Sequence, residues 1–228
     1  MIDFVKNILT QRQIDILIGN LLGDGFLIRP YVSTSFGFKQ KQESKEYVFW
    51  LYNEFKNICR SEPKQRKDNQ QWYFLTKSIK DLNVFREMFY SNKKKIIPKN
   101  IEQLLVSPLS LAIWYMDDGS IDYRPNDHCS FYLSTHCFSV KEVEKLRDIL
   151  MKNFGIESNV YNNLIRGKRY PRIYIGSKGR NKFIKIISPY ILNCFKYKLP
   201  QYRQPLRDFS RIKLERCQVP DNQENKLT

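Results

Sequence analysis

Two aspartates, Asp24 and Asp118, close two apolar runs of the same plan: Leu17-Ile18-Gly19-Asn20-Leu21-Leu22-Gly23-Asp24-Gly25 and Leu111-Ala112-Ile113-Trp114-Tyr115-Met116-Asp117-Asp118-Gly119. An acid at the C-terminal end of a helix meets the negative pole of the macrodipole and is disfavoured by roughly 0.3–1 kcal/mol. An unfavourable arrangement that occurs twice points to a use. Two carboxylates at close quarters repel one another unless a cation lies between them, and an all-oxygen donor set suits a hard divalent ion, Mg²⁺ first. Such an ion activates a water for attack on phosphorus and stabilises the leaving oxygen, which is the chemistry of phosphodiester hydrolysis. Counting back from the closing glycine aligns Asp118 with Asp24. Asp117 is then an additional acid, and with Gly23 it is a further candidate metal ligand.

The acids can meet only if the two runs are helices that pack together. Thr10 and Gln13 have the form of a capping box ahead of the first run, with Gly25 as its expected stop. Ser107 is placed to cap the second, with Pro108 at the first helical position and Gly119 at the end. Gly19 and Gly23, four apart, present a bare face for close approach, with Ala112 as the small residue expected opposite. β-favouring residues follow each run, at 26–39 with a turn near Pro30 and at 121–138 interrupted at 124–127. Helical spacing returns at 44–58 and 139–154, each opened by a serine. Second hairpins at 63–76 and 156–175, and further helices at 80–90 and 180–190, complete two copies of one order: helix, hairpin, helix, hairpin, helix. The halves are expected at 1–104 and 105–218, with 219–228 a polar, disordered tail.

In the 228 residues, 39 Lys and Arg stand against 23 acids, a formal charge of +16. That balance calls for a polyanion partner, nucleic acid before membrane, since no apolar run approaches the roughly 18 residues needed to span a bilayer. The five cysteines, Cys59, Cys129, Cys137, Cys194 and Cys217, are scattered with no C-x-x-C pair, so neither a disulfide framework nor a zinc knuckle is indicated. The N-terminal residues lack the plan of a signal or transit peptide. The chain is therefore expected not to be secreted, and to act in a mitochondrial matrix or chloroplast stroma if organelle-encoded, otherwise in the cytoplasm. Its wealth of Lys, Asn, Ile, Tyr and Phe, all with AT-rich codons, suits an organelle genome.

Both nine-residue runs resemble the signature of the LAGLIDADG homing endonucleases, in the monomeric branch with two motifs per chain. Ser110-Leu111-Ala112 before Trp114, and the Lys95-Ile96-Ile97-Pro98 and Tyr197-Lys198-Leu199-Pro200 segments, resemble that branch as well, over roughly residues 14–204. The resemblance implies an α+β fold: duplicated αββαββα units forming a pseudo-twofold saddle of two antiparallel sheets, with the motif helices packed at its centre. It implies double-strand cleavage of a long asymmetric site in double-stranded DNA by a monomer. The last acid of each motif would bind Mg²⁺, with Mn²⁺ or Ca²⁺ able to take the same place, and serve one strand. Lys95 and Lys198 fall where the family keeps a basic residue near each scissile phosphate, and Gln40 and His136 at strand ends beside the active site. An intron RNA partner, in the role of a splicing cofactor, is the alternative. Polar Asn20 inside the first motif, and Ile113 where the first motif has Gly19, depart from the pattern.

Strand alternation supplies the expected DNA readers. In the first half they are Arg29, Tyr31, Ser33, Ser35, Lys64, Arg66, Asn69 and Gln71. In the second they are Tyr123, Arg124, Tyr132, Asn162, Arg166, Lys168, Arg169 and Arg172. Arg can bracket guanine, and Asn or Gln adenine, in the major groove. Lys93 and Lys94, with Lys95, are expected to meet phosphate.

Overall fold

The computed structural model describes residues 8–29, 31–125, 127–165 and 167–202. Helix α1 (Gln11–Leu22) opens on Thr10, whose side chain accepts from the Gln13 N–H while the Gln13 side chain accepts in return, a complete capping box. It ends at Gly23 rather than running on to Gly25, because the Gly23 N–H already closes on Gly19 and Asn20 while the Asp24 N–H turns to a different helix. Strands β1 (Phe26–Ile28) and β2 (Ser35–Gln40) follow, then α2 (Lys45–Phe55), β3 (Lys64–Gln65), β4 (Trp72–Leu75) and α3 (Asn83–Phe89). A two-stranded hairpin, β5 (Tyr90–Ser91) and β6 (Lys94–Lys95), and the single-turn α4 (Ile101–Leu104) connect to the second half; neither was expected from the residue pattern. That half comprises α5 (Pro108–Asp118), β7 (Gly119–Arg124), β8 (His128–Ser134), α6 (Val140–Phe154), β9 (Asn159–Ile165), β10 (Lys168–Ile175) and α7 (Ser177–Ile187).

The fold is α+β. Each half forms a four-stranded antiparallel sheet of the same order, β1-β2-β4-β3 and β7-β8-β10-β9. One side of each sheet is roofed by helices. Phe36 of β2 meets Phe55 of α2 and Phe74 of β4 at ring separations of 5.0 and 5.9 Å. In the second half Tyr115, Phe131 and Phe183 form a triangle of edge-on rings between α5, β8 and α7. Burying each such side chain contributes roughly 1.5–3 kcal/mol.

At the centre, α1 packs along α5. Both helices are enclosed almost all round; every residue of α5 from Leu109 to Met116 is buried. A Cβ on Gly19 would lie 2.5 Å from the Ser110 carbonyl and 2.7 Å from the Ile113 Cβ, and one on Gly23 would lie 2.4 Å from the Asp117 Cβ. The bare face of α1 is thus filled by Ser110, Ile113 and Asp117, not by Ala112, so bulky Ile113 is the complement of Gly19. Ser110 adds a hydrogen bond from its hydroxyl to the Asp15 carbonyl, 2.7 Å. No described helix is long and apolar enough to cross a membrane. The four described cysteines are free. Cys217 and the 219–228 tail lie outside the described residues, as do Pro30 and Arg166.

Candidate active site and nucleic-acid interface

The crossing of α1 and α5 brings their C-terminal ends together, and with them Asp24, Asp117, Asp118, Lys95 and Lys198. Burial first, and then the charge of Asp24, raise the Asp118 carboxyl to about 7. Asp24 is raised too, chiefly by burial, against a lowering hydrogen bond from Gln40 and the charges of Lys95 and Lys198. The Gln40 amide donates to Asp24 Oδ2, from the last residue of β2.

Each lysine is fixed by the end of a motif helix. A tight turn, with Asn92 and Lys93 both at positive φ (47° and 65°), folds β6 back on β5 and carries Lys95 Nζ to the Gly23 carbonyl at 2.6 Å. Lys198 Nζ donates to the Met116 carbonyl at 2.7 Å, while its own carbonyl accepts from the Tyr115 hydroxyl, 2.7 Å. Positive charge suits a helix C-terminus. Burial nonetheless lowers both ammonium groups, Lys198 to about 8, against the raising influence of the three aspartates.

Asp117 occupies a different place from its neighbour. Its Oδ2 accepts from Asn20 Nδ2 at 2.9 Å and from the backbone N–H of Asp24 at 3.1 Å, and its Oδ1 accepts from the Tyr47 hydroxyl at 2.7 Å. Asn20, the polar departure in the first motif, is therefore the partner of the additional acid in the second. The pairing of Asn20 with Asp117 went unread although its signal was there, as a polar excess in each of two apolar runs that must pack together; Tyr47 carried no such signal. His136 lies in the turn after β8, its ring 5.2 Å from Tyr170. The side chain felt by Lys95 and Asp118 is the next one, Cys137, whose thiol burial pushes upward.

The uncovered sides of the sheets carry several of the expected readers. Lys64 of β3 pairs with Tyr73, and both lie opposite to buried Phe74. Ser35 lies on that side but is buried, and Tyr31 beside it is 89% exposed. Arg66 follows β3 and is tied to Asp68, 2.6 Å, while Asn69 and Gln71 brace the same turn by mutual hydrogen bonds. Ser33 offers its carbonyl to Ser78. In the second half Arg172 stacks over Tyr132, 4.0 Å from guanidinium to ring centre, and Arg124 pairs with His128 on the same side. Others are placed elsewhere. Arg29 is engaged with Glu87 of α3. Tyr123 pairs with Cys129 on the helix side, and Asn162 with Pro171, one residue out of phase with Arg172. Arg169 shares that phase. A one-residue offset moves a side chain to the other face of a strand, so Asn163 and Tyr161 take the places expected of Asn162. The Lys168 side chain lies outside what the structure describes.

A repeated αββαββα unit, with a motif helix at the heart of each copy and an acid at each helix end, is the architecture of the LAGLIDADG fold. The chain belongs to the LAGLIDADG DNA endonuclease family, whose model matches residues 14–183. It is 30% identical to a probable intron-encoded endonuclease of Wickerhamomyces canadensis over 84% of this chain and 85% of that one. It is 26% identical to the DNA endonuclease I-ChuI of Chlamydomonas applanata, over 84% and 95%. The cytochrome b mRNA maturase bI2 of Saccharomyces cerevisiae is 29% identical over 85% of this chain, which spans only 48% of that protein. Among solved structures, the homing endonuclease I-WcaI bound to its DNA recognition sequence matches with a TM-score of 0.74 at 29% identity, over 86% of this chain and 90% of that one.

Proposed function

We propose that the chain is a monomeric, sequence-specific homing endonuclease that cuts both strands of a long asymmetric DNA site with Mg²⁺. The observation that carries this reading is the junction of α1 and α5, where Asp24 and Asp118 share one electrostatic environment with Lys95 and Lys198 on either side. The donor set fits a hard cation. Mg²⁺ is commonly held by one or two carboxylates, substrate phosphates and water. Among the described residues no group of three or more His, Cys, Asp and Glu forms a protein-only cage. The Gly23 carbonyl already accepts from Lys95 and Asp117 from three donors, which leaves Asp24 and Asp118 as the ligands. When bound, the ion supplies an activated water and charge for the leaving oxygen; Mn²⁺ or Ca²⁺ suits the same oxygens.

The chain's own groups complete the site. Gln40 orients the Asp24 carboxylate, and Asp117 holds the turn that presents it. Lys95 and Lys198, anchored on helix ends, set positive charge where two scissile phosphates would lie. The units 1–104 and 105–218 would each contact half of the site, and the sequence difference between their sheets makes that site asymmetric. A net charge of +16 supplies the phosphate attraction. An organelle matrix or stroma suits a chain with intron-encoded relatives.

A second reading, an RNA-binding splicing cofactor, is favoured by the maturase among the relatives. The test is selection of cleaved sites from a random or host-genome DNA library in Mg²⁺. Recovery of one long asymmetric site supports the endonuclease; no cleaved DNA, with tight binding to intron RNA, supports the cofactor.

A further inference from the structure

The duplicated sheets allow the two halves to be compared position by position. In the first sheet one row across the strands is Phe26, Gly37 and Leu75. The row in the same register of the second sheet is Ser120, Tyr132 and Tyr174. One step along β1 and β7, Ile28 opposite Ser35 corresponds to Asp122 opposite Ser130.

These rows lie on the sides away from the helices, since their neighbours in sequence, Phe36, Phe38 and Phe74 in the first half and Phe131 and Leu133 in the second, are the buried ones. A Cβ on Gly37 would meet Leu75 Cδ2 at 2.5 Å and the Phe26 ring at 2.6 Å, so both apolar side chains fold over the glycine into one continuous surface. Ile28, 40% exposed, extends it. Water-facing apolar surface in a strongly basic chain calls for an apolar partner group. The opposite sheet offers hydroxyls instead: Tyr132 and Tyr174 lie 5.3 Å apart, with Tyr161 a further 5.2 Å from Tyr174.

The one apolar group that a DNA base presents in the major groove is the thymine C5-methyl. We infer that the first half reads thymine methyls through Phe26, Leu75 and Ile28, beside the polar row of Lys39, Tyr73 and Lys64, whereas the matching row of the second half reads polar base edges, so the two half-sites differ in the chemistry of their recognition at that row. This rests on the endonuclease reading and adds the base class to it.

The experiment replaces each thymine of the selected site, one at a time, by deoxyuridine, which removes the methyl and nothing else. Affinity is measured in Ca²⁺ for the wild-type chain and for Leu75→Ala. A buried methyl is worth about fourfold in affinity. The expected result is a cluster of thymines in one half-site, each losing about that factor. In Leu75→Ala at least one of these penalties is abolished, because the contact is already gone. Leu75 is half-buried, and a thermal melt shared with the wild type checks that the variant is folded. Uniform tolerance of deoxyuridine, or penalties unchanged in Leu75→Ala, overturns the inference while sequence-specific cleavage leaves the endonuclease reading standing. Failure to recover any specific DNA overturns both.

Discussion

The carboxylate of Asp117 accepts the backbone N–H of Asp24 at 3.1 Å, from the end of one motif helix to the end of the other. Two consecutive acids thereby meet different partners: Asp118 feels the charges of Asp24, Lys95 and Lys198, while Asp117 takes Asn20, Tyr47 and the Asp24 N–H. An amide at position 117 can keep its oxygen on Asn20 and the Asp24 N–H only by turning its NH2 to the Tyr47 hydroxyl, so Asp117→Asn takes away the acceptor of the buried Tyr47 O–H. The variant is expected to lose about 1–3 kcal/mol of stability in urea unfolding yet to retain slowed cleavage. Unchanged stability, or loss of cutting as complete as for Asp24→Asn, would show that Asp117 works otherwise.

Helix contact is equally specific. The Cβ of Gly19→Ala would press on the Ser110 carbonyl, a backbone atom that cannot rotate away. We expect a loss of about 1–3 kcal/mol with the helices forced apart, read as a lower Tm together with slower cleavage. A fully stable, fully active variant would remove the close crossing.

The site titrates in the working range. Burial, then the Asp24 charge, places Asp118 at about 7, above its unfolded value. Its contribution to the stability of the metal-free chain is therefore fully present below about pH 4 and lost as pH rises through about 7. A divalent cation favours the ionised form. The metal-free Tm should fall as pH rises toward about 7, with Asp24 and Asp117, whose carboxyls burial also raises, acting in the same sense; Mg²⁺ should oppose the fall, and the acid limb of cleavage should move down as Mg²⁺ is raised. Lys198, lowered to about 8 by burial, loses its charge above that value and should produce the alkaline limb. A cleavage profile indifferent to Mg²⁺ concentration would contradict this coupling.

Much of this could be read in the residues. The Asp-Gly ends gave the motif helices, Thr10 with Gln13 gave a true capping box, the serine at 139 does cap its helix while Ser44 and Ser107 make no side-chain cap, and the shared order of strands followed from the duplication. Side-chain phase was less legible. Tyr123 and Asn162 read as outward from strand alternation, but pairing with Cys129 and Pro171 sets them one step out, and register is decided by cross-strand contacts that no local pattern carries. The role of Asp117 was hidden for the same reason: its partners Asn20 and Tyr47 are distant in sequence and meet it only when α1, α2 and α5 pack.

DNA binding should weaken steeply with salt, as phosphate contacts release counterions. The slope of log affinity against log salt should fall by about one for each phosphate-binding lysine replaced among Lys64, Lys93 and Lys94. A flat dependence would mean that the basic surface does not meet the DNA backbone.

The shared carboxylate site is tested most directly by cleavage of the selected DNA in Mg²⁺ by the wild type, Asp24→Asn and Asp118→Asn, with affinity measured in parallel. Each variant is expected to bind the site as the wild type does and to make no double-strand break, and EDTA to reduce the wild type to the same state. Double-strand cutting at a comparable rate by either variant, or by the wild type in chelator, would contradict a shared carboxylate site.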